Sequence, residues 1–389
     1  MNIGIFTDTY FPQISGVATS IAMLQKELTN RGHQVYIFTT SNPEANDIED
    51  YPNVYRIPSI PFLFYTERRI SYVSSRKITR LVEELKLDII HTQTEFSLGV
   101  IGQKVAQKYN LPLLHTYHTM YEDYLHYIAN GKLLTKPMVK YLMQSFCQKA
   151  DIVIAPTEKV KLTLEKYQIC RPIKIIPTGI DFQSFEQTDY LQQQTNELKK
   201  ELGLSEDDFV LVWLGRVAYE KNLEEILREL PAILMEQSNT KLVIVGDGPA
   251  KKDSEKIVQE LGLNEVVQFL GEQNWENINK FYQLGNAFIS ASTTETQGLT
   301  YIEALASNLP VIAKRDSSIE QLIVDKQTGF LFEKSSELPA IIKSISQYPA
   351  ATEAIIKNGR EQIKNLSVEH FGDTLEEVYE GLLKEAVEK

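Results

Sequence analysis

The feature that most constrains the fold of this chain is an alternation of short apolar runs with longer amphipathic stretches. Asn2–Thr7 and Gln34–Thr39 are apolar runs of strand length, and Ala18–Arg31 between them has the spacing of an amphipathic helix. A strand, a helix and a strand at this spacing predict a parallel crossover unit, because parallel strands need a long connection. The chain is therefore predicted to be an α/β protein with parallel sheets.

A change in composition divides the chain into two halves of the same kind. Pro and Gly interrupt Ile173–Asp181, and the polar, glutamine-rich stretch Gln183–Glu201 follows. The strand pattern restarts at Phe209–Gly215, which predicts a second parallel-sheet domain. With 389 residues, the chain is long enough for two sizeable cores.

The stretch Glu295–Glu303 is a candidate binding site in the second half. It joins the strand-like run Ala287–Thr294 to a predicted helix, with Gly298 near the helix start. Free amides at a helix N-terminus form an anion site, and carboxylates accept hydrogen bonds from paired hydroxyls. An anion site between Glu295 and Glu303 fits a nucleotide sugar, although an acidic loop beside an ordinary helix fits the same residues.

This stretch resembles the paired-glutamate signature of family 4 of the retaining glycosyltransferases, which have the GT-B fold. The resemblance implies two Rossmann-like, doubly wound parallel-sheet domains that face a deep cleft. It implies that residues 1–178, completed by a last helix at 367–389, face the acceptor and the membrane, while residues 179–366 bind the nucleotide sugar. By the same match, Glu295 holds the donor hexose and Glu303 holds the ribose.

Two cations follow the first strand of the second domain. Arg216 and Lys221 lie in a loop at the carboxyl end of that strand. Arginine forks onto phosphate oxygens and lysine adds a compact charge, although two solvated surface cations would give the same pattern. The Gly-Arg-x4-Lys-Asn pattern resembles the diphosphate clamp of the family, so Arg216 and Lys221 are predicted to stabilise the charge of the leaving nucleoside diphosphate.

Other positions match the family near predicted strand ends. The resemblance places Gly16 over the donor diphosphate, the amides of Gly298 and Leu299 beside it, and Phe269 and Leu270 against the base. A glycine before a helix is also an ordinary turn residue, so the sequence alone leaves the role of Gly16 open. The first turn lacks the fingerprint G-x-G-x-x-G, which counts against a nicotinamide dehydrogenase.

His118 is the predicted catalytic histidine. It ends the strand-like stretch Leu111–His118, where a parallel sheet places its binding crevice, and histidine titrates near neutral pH. A lone histidine is more often structural, but members of the family often carry one here, near the reacting sugar. The block His115–Tyr124 is similar to bacterial glucosyltransferases that act on diacylglycerol, and this narrows the expected acceptor.

A basic segment next to an aromatic loop predicts contact with an anionic membrane. The basic residues are Arg68, Arg69, Arg76, Lys77 and Arg80, and the aromatic residues are Phe62, Phe64 and Tyr65. At helical spacing Arg69, Arg76 and Arg80 would share one side of a helix. Each basic side chain near anionic lipid contributes about 1 kcal/mol, although a solvated helix face gives the same pattern.

Composition narrows the compartment and the partners. A net charge of −12 and a pI near 5.2 argue against binding to nucleic acid. Cys147 and Cys170 offer neither a disulfide framework nor a metal spacing, which fits a reducing cytoplasm. No signal peptide is expected, and no apolar run reaches the roughly 18 residues that span a bilayer. We expect a cytoplasmic protein held peripherally at the inner face of the cell membrane.

Together these features predict a hexosyltransferase that retains the anomeric configuration. The expected donor is UDP-glucose, the expected acceptor is the free hydroxyl of diacylglycerol, and the expected product is an α-glucosyl glycolipid. The departing phosphate, rather than a carboxylate nucleophile, is expected to take the acceptor proton. No cofactor or catalytic metal is expected, because the cations can replace one. Two alternatives stay open: a soluble sugar or small hydroxy-acid acceptor, and a non-catalytic protein that binds sugar nucleotides.

Overall fold

The chain forms two compact units. The first comprises Met1–Gly179 and Val368–Lys389, and the second comprises Ile180–Ser367. The structure is a computed structural model that describes residues 1–13, 15–43, 53–62, 65–72, 75–122 and 135–388. The side chains of residues 65–68, 75–77 and 276 lie outside this description.

A parallel sheet forms the centre of the first unit. In chain order, the strands of this unit are β1 (Asn2–Phe6), β2 (Gln34–Thr40), β3 (Val54–Ile57), β4 (Ser59–Phe62), β5 (Tyr65–Ser71), β6 (Ile89–Thr92), β7 (Leu113–Thr116), β8 (Ile152–Ala155) and β9 (Ile173–Ile175). The sheet has the order β3-β2-β1-β6-β7-β8-β9 and is parallel throughout. Strands β4 and β5 form a separate antiparallel hairpin.

Helices cover both faces of this sheet, so its central strands β6 and β7 are buried along their whole length. The helices before the chain leaves the unit are α1 (Gly16–Asn30), α2 (Ser75–Leu85), α3 (Ser97–Tyr109), α4 (Lys136–Cys147) and α5 (Glu158–Lys166). Helix α1 begins directly after Ser15, whose hydroxyl accepts a hydrogen bond from Ala18 N at 3.2 Å and caps the helix.

The second unit repeats this architecture with a shorter sheet. Its strands are β10 (Phe209–Leu214), β11 (Thr240–Val245), β12 (Val267–Phe269), β13 (Ala287–Ser290), β14 (Val311–Lys314) and β15 (Phe330–Phe332). Its helices are α6 (Asp189–Glu201), α7 (Leu223–Glu236), α8 (Lys251–Glu260), α9 (Asn279–Leu284), α10 (Leu299–Ala306), α11 (Leu338–Gln347) and α12 (Pro349–Gln362). The sheet order is β12-β11-β10-β13-β14-β15, again parallel.

The strand order reverses once in each sheet, and these reversals position the candidate site. The reversal lies between β1 and β6 in the first unit and between β10 and β13 in the second. Doubly wound sheets bind their ligands beyond the carboxyl ends of the strands at such a reversal. The prediction of two doubly wound parallel-sheet domains is confirmed for each unit.

The last helix, α13 (Val368–Glu388), belongs to the first unit although it follows the second in the chain. It packs against α1 and is held there by charged contacts. Arg31 Nη1 lies 3.2 Å from Glu376 Oε2 and also binds Asp373, while His33 Nε2 lies 2.7 Å from Glu376 Oε1. These contacts fix α13 beside the first sheet.

The predicted basic helix is wrong over its first half. Arg68 and Arg69 lie on β5, and α2 begins only at Ser75, because the segment pairs with β4 as a hairpin. Arg69 donates from Nε to Ser59 Oγ at 3.0 Å and from Nη2 to Ser59 O at 2.9 Å. Arg69 is therefore bound within the hairpin and cannot share a helix side with Arg76 and Arg80.

Several residues of the predicted membrane segment lie beyond what the structure describes. They are Phe64 itself and the side chains of Tyr65, Arg68, Arg76 and Lys77. In the described part of the chain, no helix combines the length and the apolar character needed to cross a bilayer.

Candidate active site

The carboxyl ends of β10 and β13 bring two of the predicted site residues into contact. Lys221 lies in the loop after β10, and Glu295 lies 74 positions later in the loop after β13. Lys221 Nζ donates to Glu295 Oε1 at 2.6 Å and reaches Ser292 Oγ at 3.5 Å. Only 20% of the Lys221 side chain and 15% of the Glu295 side chain are exposed. The neighbouring ends of β10 and β13 thus bring Lys221 and Glu295 into a largely buried ion pair.

The ion pair keeps Glu295 charged. Burial would raise the pKa of the Glu295 carboxyl, but the charge and hydrogen bond of Lys221, with a hydrogen bond from Ser292, hold that pKa below its usual value. Removing one member of a buried ion pair leaves an uncompensated charge, which is strongly unfavourable. Lys221 and Glu295 therefore act as a unit, and Ser292, which the sequence analysis did not single out, orients both.

Arg216 directly follows the β10 strand and its terminal glycine. Its Nη1 lies 3.7 Å from Glu220 Oε1, and the Glu220 side chain is almost fully buried. This buried carboxylate, which the sequence analysis did not single out, orients the guanidinium. Both predicted phosphate-binding cations, Arg216 and Lys221, therefore lie in one loop, each beside a buried glutamate.

The turn after β11, which contains Gly246 and Gly248, packs against the loop that carries Arg216. Gly246 has φ +139°, and a Cβ added there would lie 1.8 Å from Gly215 O. A Cβ on Gly248 would likewise lie 2.4 Å from Val217 O. The turn presses backbone to backbone against the loop that carries Arg216, so glycine is required for packing. Close backbone packing explains both glycines.

Helix α10 offers its first amides at the same reversal. Its cap residue is Gly298, with φ +77°, and an added Cβ would lie 2.7 Å from the ring of Tyr301. The first hydrogen bond at this end runs from Tyr301 N to Gly298 O at 3.1 Å. The amides of Leu299 and Thr300 precede that bond, so this helix end has the donors of an anion site. The prediction that Gly298 lies near the start of this helix is confirmed.

Glu303 lies one turn into α10 and is partly buried. Burial raises the pKa of its carboxyl to about 7, although a hydrogen bond from the Tyr282 hydroxyl to Oε2, 2.6 Å long, opposes the shift. A ligand that donates two hydroxyls would favour the ionised form, because a carboxylate is acceptor-only. Tyr282 lies on α9, 21 positions away, and nothing in its local sequence distinguished it from a core tyrosine.

Phe269 and Leu270 lie at the end of β12, the edge strand that is separated from β10 by β11. Both side chains are partly buried and pack against the cores of the second unit. Leu270 N donates to Ile244 O at 2.9 Å, which fixes this strand end beside β11. Their predicted contact with the donor base stays a prediction.

In the first unit, His118 follows β7 and ends a chain of hydrogen bonds. His118 Nε2 lies 2.6 Å from Gln93 Oε1, and Gln93 Nε2 lies 3.1 Å from His91 Nε2. His91 Nδ1 in turn lies 2.7 Å from the hydroxyl of Tyr379 on α13. Because an amide oxygen only accepts, His118 must carry its proton on Nε2 and not on Nδ1. Gln93, His91 and Tyr379 were not singled out from the sequence.

His118 is neutral, which corrects the expectation that it titrates near neutral pH. Burial, reinforced by the nearby His115, lowers the pKa of the His118 imidazole to about 3. A neutral imidazole with its proton on Nε2 can accept a hydrogen bond at Nδ1. It cannot serve as a general acid at neutral pH, since its protonated form is too scarce.

A buried aspartate lies at the reversal of the first sheet. Asp8 follows β1, and its carboxylate accepts hydrogen bonds from Thr94 Oγ1 at 2.7 Å, from Leu98 N at 3.1 Å and from the Ser97 hydroxyl. Burial raises the pKa of Asp8 in spite of these bonds. Asp8 therefore occupies the N-terminus of α3. The predicted phosphate residue Gly16 is the exposed first residue of α1.

Comparisons with known proteins identify the family. The family model Glycosyltransferase Family 4 matches residues 14–184, and Glycosyl transferases group 1 matches residues 194–362. The alpha-monoglucosyldiacylglycerol synthase of Streptococcus pneumoniae is 42% identical over 97% of this chain and 85% of its own length. The chain belongs to glycosyltransferase family 4. The synthase of the same name from Acholeplasma laidlawii is 33% identical to this glycosyltransferase, over 98% of both chains.

Solved structures show the fold of this family 4 glycosyltransferase. Anabaena HepE in complex with UDP and glucose has a TM-score of 0.79 and 17% identity, over 98% of this chain and 100% of that one. Sucrose-phosphate synthase from Thermosynechococcus elongatus has a TM-score of 0.78 and 21% identity, over 99% and 100% of the two chains. The predicted family and its GT-B fold of two Rossmann-like domains are confirmed.

The candidate site of the glycosyltransferase contains single carboxylates beside cations. Among the residues that the structure describes, no group of three or more His, Cys, Asp or Glu side chains could hold a metal ion. The absence of a catalytic metal stays a prediction, as do the roles assigned to the individual site residues.

Proposed function

We propose that this glycosyltransferase moves glucose from UDP-glucose to the free hydroxyl of diacylglycerol and forms an α-glucosyl glycolipid. The identity of 42% and 33% to two alpha-monoglucosyldiacylglycerol synthases supports the acceptor. Structures of HepE with UDP and with UDP-glucose support the donor. The observation that carries the proposal is the buried Lys221–Glu295 pair beside the glycine-capped end of α10.

The donor diphosphate binds to three sources of positive charge. Lys221 and Arg216 supply full charges, and the amides of Leu299 and Thr300 supply the partial charge of a helix N-terminus. As the bond between the sugar and the diphosphate breaks, negative charge grows on the departing phosphate. Fixed cations in a largely buried loop stabilise that growing charge without reorganisation, which is the most effective electrostatic contribution to a rate.

The two glutamates bind hydroxyls on either side of the diphosphate. Glu295 is ionised and mostly buried, so it can accept hydrogen bonds from the glucose hydroxyls, and Lys221 keeps it from taking up a proton. Glu303, one turn further along α10, accepts the ribose hydroxyls. Because the pKa of the Glu303 carboxyl is about 7, both of its forms are present at neutral pH, and hydrogen bonds from a bound ribose favour the ionised form.

The acceptor hydroxyl attacks the anomeric carbon on the face from which the diphosphate departs. The new bond joins the diacylglycerol oxygen to that carbon, the bond from the carbon to the diphosphate oxygen breaks, and the departing phosphate takes the hydroxyl proton. Neutral His118 accepts a hydrogen bond from a glucose hydroxyl at Nδ1 and positions the sugar. This route contains no covalent carboxylate intermediate, because the acceptor oxygen itself bonds to the anomeric carbon.

The two units bind different substrates. The second unit carries the cations and both glutamates and binds the nucleotide sugar. The first unit, with His118, receives diacylglycerol at the inner face of the cell membrane, where the protein is held peripherally. Gly16, at the exposed start of α1, contributes its amide to the diphosphate, and Phe269 and Leu270 contact the uracil.

The test is product identification with the purified full chain. Vesicles that contain dioleoylglycerol are incubated with UDP-glucose, UDP-galactose or UDP-N-acetylglucosamine, and parallel reactions contain free sugars or malate instead of lipid. Mass spectrometry of the lipid extract is expected to detect monoglucosyl diacylglycerol, with an α-anomeric proton coupling in NMR. Transfer to a soluble acceptor, or donor hydrolysis with no lipid product, would contradict the proposal.

A further inference from the structure

Glu95 is a buried carboxylate in the loop after β6 of the first unit, and it contacts two residues of the next strand and loop. Its Oε1 lies 3.2 Å from His115 Nε2 on β7, and its Oε2 accepts a hydrogen bond from the Tyr121 hydroxyl. Only 2% of the Glu95 side chain and none of the His115 side chain is exposed. No step of the proposed reaction uses this carboxylate.

The two partners of Glu95 flank His118 in the sequence. His115 precedes His118 by three positions, and Tyr121 follows it by three. Residues 117–120, which follow β7, belong to no helix or strand. A loop residue that serves a site must be positioned by the rigid scaffold around it, so contacts on both flanks of His118 define where its imidazole lies.

The contact between Glu95 and His115 requires two protons on the imidazole or one on the carboxylate. His115 Nδ1 lies 3.0 Å from Thr92 O, and a carbonyl oxygen only accepts, so Nδ1 carries a proton. An ionised carboxylate also only accepts, so the bond between Nε2 and Glu95 Oε1 needs a second proton on one of the two partners. This contact is therefore a directional hydrogen bond and not a chance approach of two acceptors.

We infer that Glu95 is a positioning residue, which holds the segment His115–Tyr121 so that His118 can meet the donor sugar. The inference rests on the proposed function, because that function assigns the sugar contact to His118. Gln93, two positions before Glu95, accepts from His118 Nε2 at 2.6 Å. The chain at the end of β6 thus holds His118 itself through Gln93 and both flanks of His118 through Glu95.

Polar contacts at these flanks supply a defined geometry rather than stability. Desolvation offsets the attraction within a buried charged pair, so such a pair contributes little net stability. The Tyr121 ring already packs edge-on against Phe96 and Tyr117, with ring centroids 5.7 and 6.1 Å away. The bond from its hydroxyl to Glu95 fixes the polar end of the ring, because a hydrogen bond is directional where ring packing is not.

The test compares three variants of the full chain in steady-state transfer from UDP-glucose to diacylglycerol in vesicles. Glu95→Leu keeps much of the side-chain volume and removes both hydrogen bonds, so kcat should fall about 30-fold. In Glu95→Gln the amide nitrogen donates to His115 Nε2 and the amide oxygen accepts from Tyr121, so kcat should stay within about threefold of the wild type. Tyr121→Phe keeps the ring and loses one bond, and its kcat should lie between these two values.

Glu27→Leu is the matched control in the same unit. The Glu27 side chain is 12% exposed, and its carboxylate accepts at 2.7 Å from Nε of Arg31, which caps the end of α1. Its kcat should stay within about twofold of the wild type, because effects at independent sites do not couple. In all four variants the KM for UDP-glucose should stay within about twofold, since the second unit binds the donor.

Deuterium exchange of a peptide that covers residues 115–121 reports how the segment is held without any reaction. Exchange there should rise in Glu95→Leu, return to the wild-type rate in Glu95→Gln and stay unchanged in Glu27→Leu. Unchanged exchange in Glu95→Leu would overturn the inference, because the segment would then be held by other contacts.

The two measurements separate this inference from the proposed function. If exchange rises in Glu95→Leu while kcat is unchanged, the reaction does not depend on the position of the segment and the inference is wrong. If Glu95→Gln loses as much kcat as Glu95→Leu, charge matters rather than the two bonds, and the positioning role is overturned. If the wild type transfers glucose to another acceptor, the proposed acceptor is wrong, and the same kcat ratios with that acceptor decide the role of Glu95.

Discussion

The two Rossmann-like units use the same helix end in different ways. Helices α3 and α10 both follow the strand at which the order of the sheet reverses, β6 in one unit and β13 in the other. The N-terminus of α3 is occupied by the Asp8 carboxylate, which accepts from Leu98 N at 3.1 Å. The N-terminus of α10 begins at Gly298, which has no side chain. The same arrangement of strand and helix therefore holds an internal carboxylate in one unit and leaves a glycine at the helix cap in the other.

The two units also differ in the charge of their candidate site residues. Burial keeps His118 neutral in the first unit, where it is bonded to the amide of Gln93. In the second unit, Lys221 keeps Glu295 ionised despite its burial. The first unit thus holds a neutral hydrogen-bonding group at its strand ends, and the second holds a charged pair.

The largest expected effect is the loss of the charge at Lys221. Lys221→Met should lower kcat/KM for UDP-glucose by about 100- to 1,000-fold, because a fixed charge beside the leaving phosphate is lost and Glu295 is left unpaired. Steady-state kinetics with diacylglycerol vesicles measure this effect.

The matched control for that substitution is Lys251→Met. Lys251 also forms an ion pair after a strand of the second sheet, with its Nζ 2.8 Å from Asp247 Oδ2, but it follows β11 rather than β10. The kcat/KM of Lys251→Met should stay within about twofold of the wild type, because the Asp247 side chain is half-exposed and such pairs contribute little. If kcat/KM fell equally in Lys221→Met and Lys251→Met, the strand end at the sheet reversal would have no special role in catalysis.

A smaller effect is expected when His118 is allowed to take up a proton. In Gln93→Glu, a carboxylate accepts from His118 Nε2 and raises the imidazole pKa, so the cation forms as the pH falls. The rate of the variant should then drop roughly tenfold from pH 8 to pH 6, relative to that of the wild type. A pH–rate profile measures this difference, and a variant profile parallel to that of the wild type would mean that His118 is structural.

The next effect concerns donor binding and the proton of Glu303. Since the free carboxyl has a pKa of about 7 and the ribose hydroxyls favour its ionised form, the affinity for UDP-glucose should rise roughly tenfold from pH 6 to pH 8. The phosphates of UDP-glucose do not titrate in this range. Glu303→Gln should remove this pH dependence in calorimetric titrations, and an equal slope in both proteins would exclude Glu303 from the donor site.

The smallest effect on donor use is expected at Asp8. Asp8→Asn places an amide group against Leu98 N and the Ser97 hydroxyl, so it should destabilise the first unit by about 1–3 kcal/mol. Donor affinity should change less than about twofold, because the N-terminus of α3 is an internal site. Denaturant unfolding measures the stability, and calorimetric titration with UDP-glucose measures the donor affinity. A large loss of donor affinity would mean that the two helix ends are not used differently.

Much of the second-unit site was accessible from the sequence because its motifs are local. The helix start at Gly298 and the cations at Arg216 and Lys221 each belong to one strand, loop and helix, and the crossover rule brings the loops together. The resemblance assigned Lys221 and Glu295 to one donor, and the reversal between β10 and β13 explains their direct contact, which the sequence did not predict.

The features that could not be predicted depend on contacts between residues far apart in the sequence. The bond between Tyr282 and Glu303, the chain from Tyr379 to His118 and the occupation of α3 by Asp8 all join separate segments. The pKa of His118 is set by burial, which a local pattern does not measure. The charge spacing of the basic segment predicts one helix, whereas pairing with β4 makes the first half of the segment a strand.

The most direct test of the central claim is a crystal structure of the full chain with UDP. The diphosphate oxygens are expected within about 3 Å of the amides of Leu299 and Thr300 and of Lys221 Nζ, with the ribose on Glu303. A diphosphate bound at another strand end of the second unit, or held by the first unit alone, would contradict the account.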